Sequence, residues 1–204
     1  VQGSMAVYGE LVFRQLYGEI LAVDAGRISE MADGDTLKLG KRTLTFRHTE
    51  GHARHHFCIW DEHSRGWFTG DMFGLCYPWF RFARGDFLLP STTPTQFDPE
   101  SYLVSLDLLA SYEPEKLYLT HYGAIDYSGS KRELLSEQVS AYRALAESAA
   151  ITGQDLQEAL TDYTLGLLEP FADGETKEQI LQWLNMDVPL NAQGLLHWRN
   201  QLAG

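Results

Sequence analysis

Three apolar runs in this chain end at a residue that can hold a metal, and that pattern constrains the fold more than any other feature. Residues 43–47 lead into His48-Thr49-Glu50-Gly51-His52, residues 67–69 into Gly70-Asp71, and residues 116–120 into His121. Each run is short and rich in β-branched or aromatic side chains, which is the composition of a strand. A ligand just past a strand sits on a rigid edge and can be placed accurately. The predicted architecture is therefore mixed α and β, with chemistry at strand ends.

Four histidines fall within nine residues, His48, His52, His55 and His56. Histidine is the commonest metal ligand. The zinc-protease helix signature H-E-x-x-H does not apply. Its acid stands second, whereas Glu50 is third, and Gly51 would cost a helix ~1 kcal/mol relative to alanine. The flanking runs at 43–46 and 57–60 read as strands. The histidines are thus expected on a loop between strands, where functional residues concentrate.

The chain has 204 residues, 44% of them apolar and 22% charged, enough for a sizeable core. Its formal charge of −12 disfavours nucleic acid and anionic membrane as partners, because phosphate binding draws on Lys and Arg. Cys58 and Cys76 form no C-x-x-C pair and read as reduced structural thiols. No apolar run is long enough to span a bilayer, and no signal segment opens the chain. A cytoplasmic location is the default expectation.

Strands are also expected at 36–39 and 57–60. A helix is expected over 5–23, with Val7, Leu11, Phe13 and Leu16 on its apolar side. Residues 72–97 show no period but carry Phe73, Tyr77, Trp79, Phe80, Phe82 and Phe87. Such a segment suits a substrate wall, packing beneath the helical tail, or a dimer contact equally well. Asp98-Pro99 starts a helix with Leu103, Leu106 and Ala110 inward. From 131 onward the chain reads as all-helical. Leu135, Val139, Tyr142, Ala146 and Ala149 make one stripe, and Leu156, Leu160, Tyr163 and Leu167 a second. Thr152-x-x-Asp155 and Thr176-x-x-Gln179 read as capping boxes. Pro189 precedes a last helix with Leu195, Leu196, Trp198 and Leu202. The domain reading is a mixed domain over 1–130, partial by the resemblance described next, and a helical region over 131–204.

In the residues His48-Thr49-Glu50-Gly51-His52, Phe68-Thr69-Gly70-Asp71 and Leu119-Thr120-His121 the chain resembles the C-terminal half of the metallo-β-lactamase superfamily. That family usually has proline where Glu50 stands. The resemblance implies half of an αβ/βα sandwich with a helical appendage. It implies His52 as ligand to a first metal, His121 to a second, and Asp71 as the catalytic carboxylate bridging both. His48 and His56 take supporting positions around the ligands. The metals implied are two zinc ions, with iron or manganese as alternatives.

Taken alone, His52 reads as a hydrogen-bonded loop histidine and Asp71 as a turn residue. In register with each other and with His121 they read as ligands. The family's His-x-His-x-Asp-His segment is absent, and no histidine precedes His48. One histidine per metal and a shared aspartate are too few for tight binding. The expectation is a piece of a longer enzyme, completed by its other half or by a second copy. A degenerate, non-catalytic interaction module is the alternative. The activity implied is hydrolysis of a small ester, thioester or lactone-like molecule by a metal-activated hydroxide. Iron-dependent redox chemistry on the same fold is the competing enzyme class. Met72–Tyr77 matches neither the glyoxalase-type nor the lactonase pattern after the aspartate.

Overall fold

A computed structural model describes residues 5, 9–148, 152–172 and 174–202. The chain divides into two compact units, Val1–Met31 and Ala32–Gly204. In the first unit, α1 (Glu10–Tyr17) is much shorter than the expected helix over 5–23. Gly9 and Gly18 bracket it with φ of 78° and 64°, left-handed values that a helix cannot continue through. Only Phe13 of the expected stripe is buried, packing on Tyr17, while Leu11 and Leu16 are exposed. Val7 lies outside the described residues.

The second unit runs through β1 (Thr36–Leu39), β2 (Arg42–His48), β3 (Phe57–Asp61) and β4 (Gly66–Gly70). A short ribbon follows, β5 (Arg81–Phe82) and β6 (Gly85–Asp86), then α2 (Pro99–Ala110), β7 (Lys116–Leu119) and β8 (Gly123–Asp126). Four helices close it, α3 (Gly129–Glu147), α4 (Gly153–Leu168), α5 (Lys177–Leu184) and α6 (Asp187–Leu202). Six strands form one sheet in the order β1-β2-β3-β4-β7-β8.

All neighbours in that sheet are antiparallel except β4 and β7, which are parallel. This one parallel pair decides where the chemistry sits. Strands β2, β4 and β7 all point the same way, so the residues that follow them emerge at one sheet edge. A parallel pair needs a long crossover, and residues 71–115 supply it.

The pleat sorts the side chains. Cys58, Trp60, Trp67, Thr69, Leu117, Leu119 and Ile125 are buried on the inner face. There the Trp67 Nε1–H donates to the Leu109 carbonyl of α2 at 3.0 Å. The outer face carries Phe46, Phe57, Ile59, Phe68 and Tyr118 in register. Phe57 and Phe68 remain 48% and 43% exposed, an unusual state for aromatic residues in central strands.

Helix α2 starts as expected, with the Asp98 carboxylate accepting the Ser101 N–H and Pro99 in the first turn. Leu106 is buried as expected, with Tyr102, Ser105 and Leu109 beside it, while Leu103 packs on the core from its margin and Ala110 is half-buried. The apolar arc is broad enough that packing chose its centre one position away. Both capping boxes form, at Thr152 with Asp155 and at Thr176 with Gln179. Leu135, Val139, Tyr142 and Ala146 are buried as read, and Ala149 lies outside the described residues. In α4 the buried set is Leu156, Leu160, Thr164 and Leu168, so Tyr163 and Leu167 sit beside the core. Helix α6 begins before Pro189, which falls in its first turn where no amide partner is needed. Strand β8 is an element the sequence does not announce; its only large apolar residue is Ile125.

The aromatic segment packs beneath the helical tail. Phe80 and Phe87 are fully buried. Phe87 meets Phe171 edge-on at 5.5 Å, and Phe80 meets Trp183 at 6.0 Å.

Candidate metal centre

The three strand-end residues converge. His52 Nε2 stands 3.8 Å from Asp71 Oδ2, and His121 Nε2 stands 3.4 Å from Asp71 Oδ1. Each imidazole therefore faces its own oxygen of one carboxylate. Donors about 2.0–2.1 Å from a tetrahedral zinc lie roughly 3.4 Å from each other, so the His121 gap matches one cation between the pair and the His52 gap is wider than that spacing. The donor types also fit, imidazole nitrogen and carboxylate oxygen. The count falls short. Among the described residues no group of three or more His, Cys, Asp or Glu side chains is arranged to hold a metal ion.

Local structure explains the placement. Gly51 has φ of 130°, and a Cβ there would lie 2.3 Å from the Tyr102 Cα. The loop thus rests directly on the backbone of α2, and the Asp98 N–H donates to the Gly51 carbonyl at 2.8 Å. The His52 ring is then oriented by the Ser91 carbonyl, 2.9 Å from Nδ1. A carbonyl only accepts, so Nδ1 carries the proton and Nε2 presents a bare lone pair toward Asp71. Burial holds the His52 pKa below its usual value, partly offset by the Ser91 hydrogen bond and the Asp71 charge. The ring is thereby kept neutral, the form a metal requires.

Asp71 is placed by His56. The Asp71 N–H donates to His56 Nε2 at 3.2 Å, and His56 Nδ1 lies 2.9 Å from Thr49 Oγ1. Because Nε2 accepts, Nδ1 must donate to Thr49. The Thr49 hydroxyl is then free to donate to Cys58 Sγ at 3.2 Å, and the Cys58 thiol donates to the Thr69 carbonyl at 3.3 Å. Every role in this chain follows from its two ends. Burial, with His52 nearby, lowers the His56 pKa to about 4. Burial raises the Cys58 thiol to about 12, so it stays protonated. Gly70 completes the fit: its φ is 52°, and a Cβ would meet His56 Nε2 at 2.4 Å.

His121 is held differently. It is about half exposed. Its neighbour Tyr122 has φ of 72°, a left-handed value uncommon outside glycine. That backbone is secured by the Arg81 guanidinium, which donates to the Tyr122 carbonyl, and by Tyr77, whose ring packs at 4.5 Å on that of Tyr122. The Tyr77 hydroxyl donates to Asp187 Oδ2 of α6 at 2.8 Å.

The remaining histidines stay outside. His48 ends β2 on the outer face, exposed, with its backbone N–H donating to Asp33; the side chain expected to support the ligands points elsewhere. The cause is the two-residue period of a strand, which turns His48 to the face opposite Arg47. His55 is exposed and lies 3.1 Å from Gln96 Oε1. Residues not anticipated from the sequence are Ser91, Thr49 and Cys58, which act through a backbone carbonyl, a hydroxyl and a thiol that carry no motif.

The sequence profile of the metallo-beta-lactamase superfamily matches residues 6–121. The chain belongs to the metallo-beta-lactamase superfamily. An archaeal metallo-beta-lactamase superfamily protein from Sulfolobus tokodaii has the same fold at 19% identity and a TM-score of 0.58, over 95% of this chain and 61% of that one. A metallo-beta-lactamase family protein from Thermus thermophilus matches at 16% identity and TM-score 0.56, over 99% and 61%. A beta-lactamase domain protein from Burkholderia ambifaria matches at 17% and 0.57, over 99% and 54%. This chain therefore spans about three fifths of those structures' length. No curated protein matches it significantly. No helix among the described residues is long and apolar enough to cross a membrane.

Proposed function

We propose that this chain carries one side of a dinuclear metal site in a hydrolase acting on a small ester, thioester or lactone-like substrate. One observation supports this most: the two imidazole Nε2 atoms face the two separate oxygens of Asp71. His52 with Oδ2 would hold one cation, His121 with Oδ1 a second, and Asp71 would span them. When bound, such a pair polarises a carbonyl oxygen and makes water a better nucleophile at neutral pH.

The chain's own residues would orient and exclude. Ser91 keeps Nε2 of His52 aimed at the carboxylate. The His56 chain sets the backbone that bears Asp71. Tyr77, Trp79 and Tyr122 form an aromatic bank beside His121, with Trp79 and Tyr122 40% and 44% exposed. Apolar walls with few polar groups suit a small ester better than a highly charged substrate. The further donors would come from another part of the protein or a partner chain. The apolar outer face of the sheet is the surface such a part would cover.

The test is metal content and hydrolysis by the full-length protein, loaded with zinc, iron or manganese. The expected outcome is two metals per chain and turnover of an ester or thioester panel. His52→Ala and His121→Ala should each lose metal, and Asp71→Ala should lose most of it. Iron retained in preference to zinc, with oxygen uptake and no hydrolysis, would favour redox chemistry. Unchanged metal content in all three variants would refute the metal reading.

A further inference from the structure

Helix α6 lies far from the motifs yet reaches the loop that orients His52. Asn191 is 2% exposed and its side chain is fully engaged. Its Nδ2 donates to the Pro90 carbonyl at 2.9 Å, and its Oδ1 accepts the Thr92 N–H at 3.0 Å. The amide thus grips the two residues flanking Ser91. One turn on, Gly194 lets the helix press against the same loop: a Cβ there would lie 2.4 Å from Thr92 Oγ1 and 2.6 Å from the Thr93 carbonyl. The loop in turn holds His52 twice. The Ser91 carbonyl faces Nδ1 at 2.9 Å, and the Thr93 hydroxyl donates to the His52 carbonyl at 2.7 Å.

We infer that Asn191 is a positioning residue for His52: helix α6, through Asn191 and the bare surface at Gly194, sets residues 90–93 so that Ser91 fixes the tautomer and direction of the His52 ring. The reason is combinatorial. A free loop carbonyl would let the imidazole sample both tautomers and two ring flips. Clamping the peptide groups on both sides of Ser91 leaves one. Asn does this because it offers a donor and an acceptor on one short planar group. Leucine of similar volume would fill the space and hold neither peptide. The helical tail is therefore part of the site's machinery, at a distance of two links. What His52 is aimed for rests on the metal reading above, but the clamp itself does not.

The experiment is nitrogen-15 NMR of the histidine rings in metal-free full-length protein. Wild type should show His52 as a single Nδ1–H tautomer, and His56 likewise. In Asn191→Leu the His52 ring nitrogens should shift toward the averaged values of a mixed tautomer, while His56 keeps its Nδ1–H tautomer, because its own hydrogen bonds run to Thr49 and the Asp71 N–H. Gly194→Ala should move His52 in the same sense by a different route. Asn191→Asp keeps the acceptor for the Thr92 N–H and should restore part of the wild-type signal; it also serves if the leucine variant does not fold. Zinc affinity should fall about tenfold in Asn191→Leu, in the lower range for partners of metal ligands. An unchanged His52 spectrum in the folded variants would overturn the inference. So would His52 and His56 shifting together, since general loosening of the fold would move both. Absence of metal binding in wild type would refute the proposed function and leave the clamp intact.

Discussion

The two imidazoles that face Asp71 are held by unequal means. His52 is mostly buried, hydrogen-bonded through Nδ1 to a clamped carbonyl, and seated on a loop that touches the backbone of α2. His121 is half exposed and depends on aromatic packing around a left-handed neighbour. The difference teaches where rigidity comes from. On the His52 side it comes from backbone contacts and hydrogen bonds that allow one arrangement. On the His121 side it comes from ring contacts and the Arg81 hydrogen bond to the Tyr122 carbonyl, which hold the neighbouring residue and not the imidazole itself.

The sharpest way to break this contrast is Gly51→Ala. The new Cβ would collide with the Tyr102 backbone at a φ that alanine avoids. Strain and overpacking together should cost about 3 kcal/mol or more. Denaturant unfolding would measure it, and a loss below about 1 kcal/mol would mean that the loop yields and the His52 side is not rigid.

Acid should come next. His56 is held neutral in the fold, at about 4 against an ordinary 6.5. A lowered pKa means the unfolded chain binds the extra proton first. Its contribution is complete above about pH 6.5 and is lost as pH falls toward about 4, roughly 2 kcal/mol once solvent screening is discounted. Stability curves for wild type and His56→Gln should differ in slope across that window. Parallel curves would show that burial does not hold His56 neutral in the fold.

On the other side, Tyr77→Phe leaves the ring on Tyr122 but strips the partner from the Asp187 carboxylate, which is 8% exposed. The cost should be about 1 kcal/mol, with the Tyr122 and His121 resonances shifting while those of His52 do not. The smallest effect belongs to Phe68→Thr on the open outer face. It should change the stability of this chain by less than about 0.5 kcal/mol, since that ring stays 43% exposed. A large loss there would mean that the outer face is covered after all.

Much of the frame was legible because it is local. Strands at 36–39, 57–60 and 116–119 show in β-branched and aromatic runs, and the helix starts at Asp98, Thr152 and Thr176 show in their caps. The first helix forms only over Glu10–Tyr17 because its apolar residues do not outweigh the breaks at Gly9 and Gly18. The aromatic segment could not be read because a ring suits a pocket wall and a core equally; only the positions of Phe171 and Trp183 chose the core. His48 shares a motif with His52 but ends strand β2 on its outer face, whereas His52 lies on the loop beyond it.

By itself the sequence determined which side chains are available for chemistry and that each follows a strand. Those are matters of residue type and short-range period, and they survive without knowledge of the rest of the chain. Only the tertiary structure decided that the three meet, through one parallel pairing of β4 with β7. It alone decided that Ser91, Thr49 and Asn191 take part. Their roles run through a backbone carbonyl, a hydroxyl and an ordinary amide, groups that most sequences contain, so partnership depends on distance in space and leaves no mark along the chain.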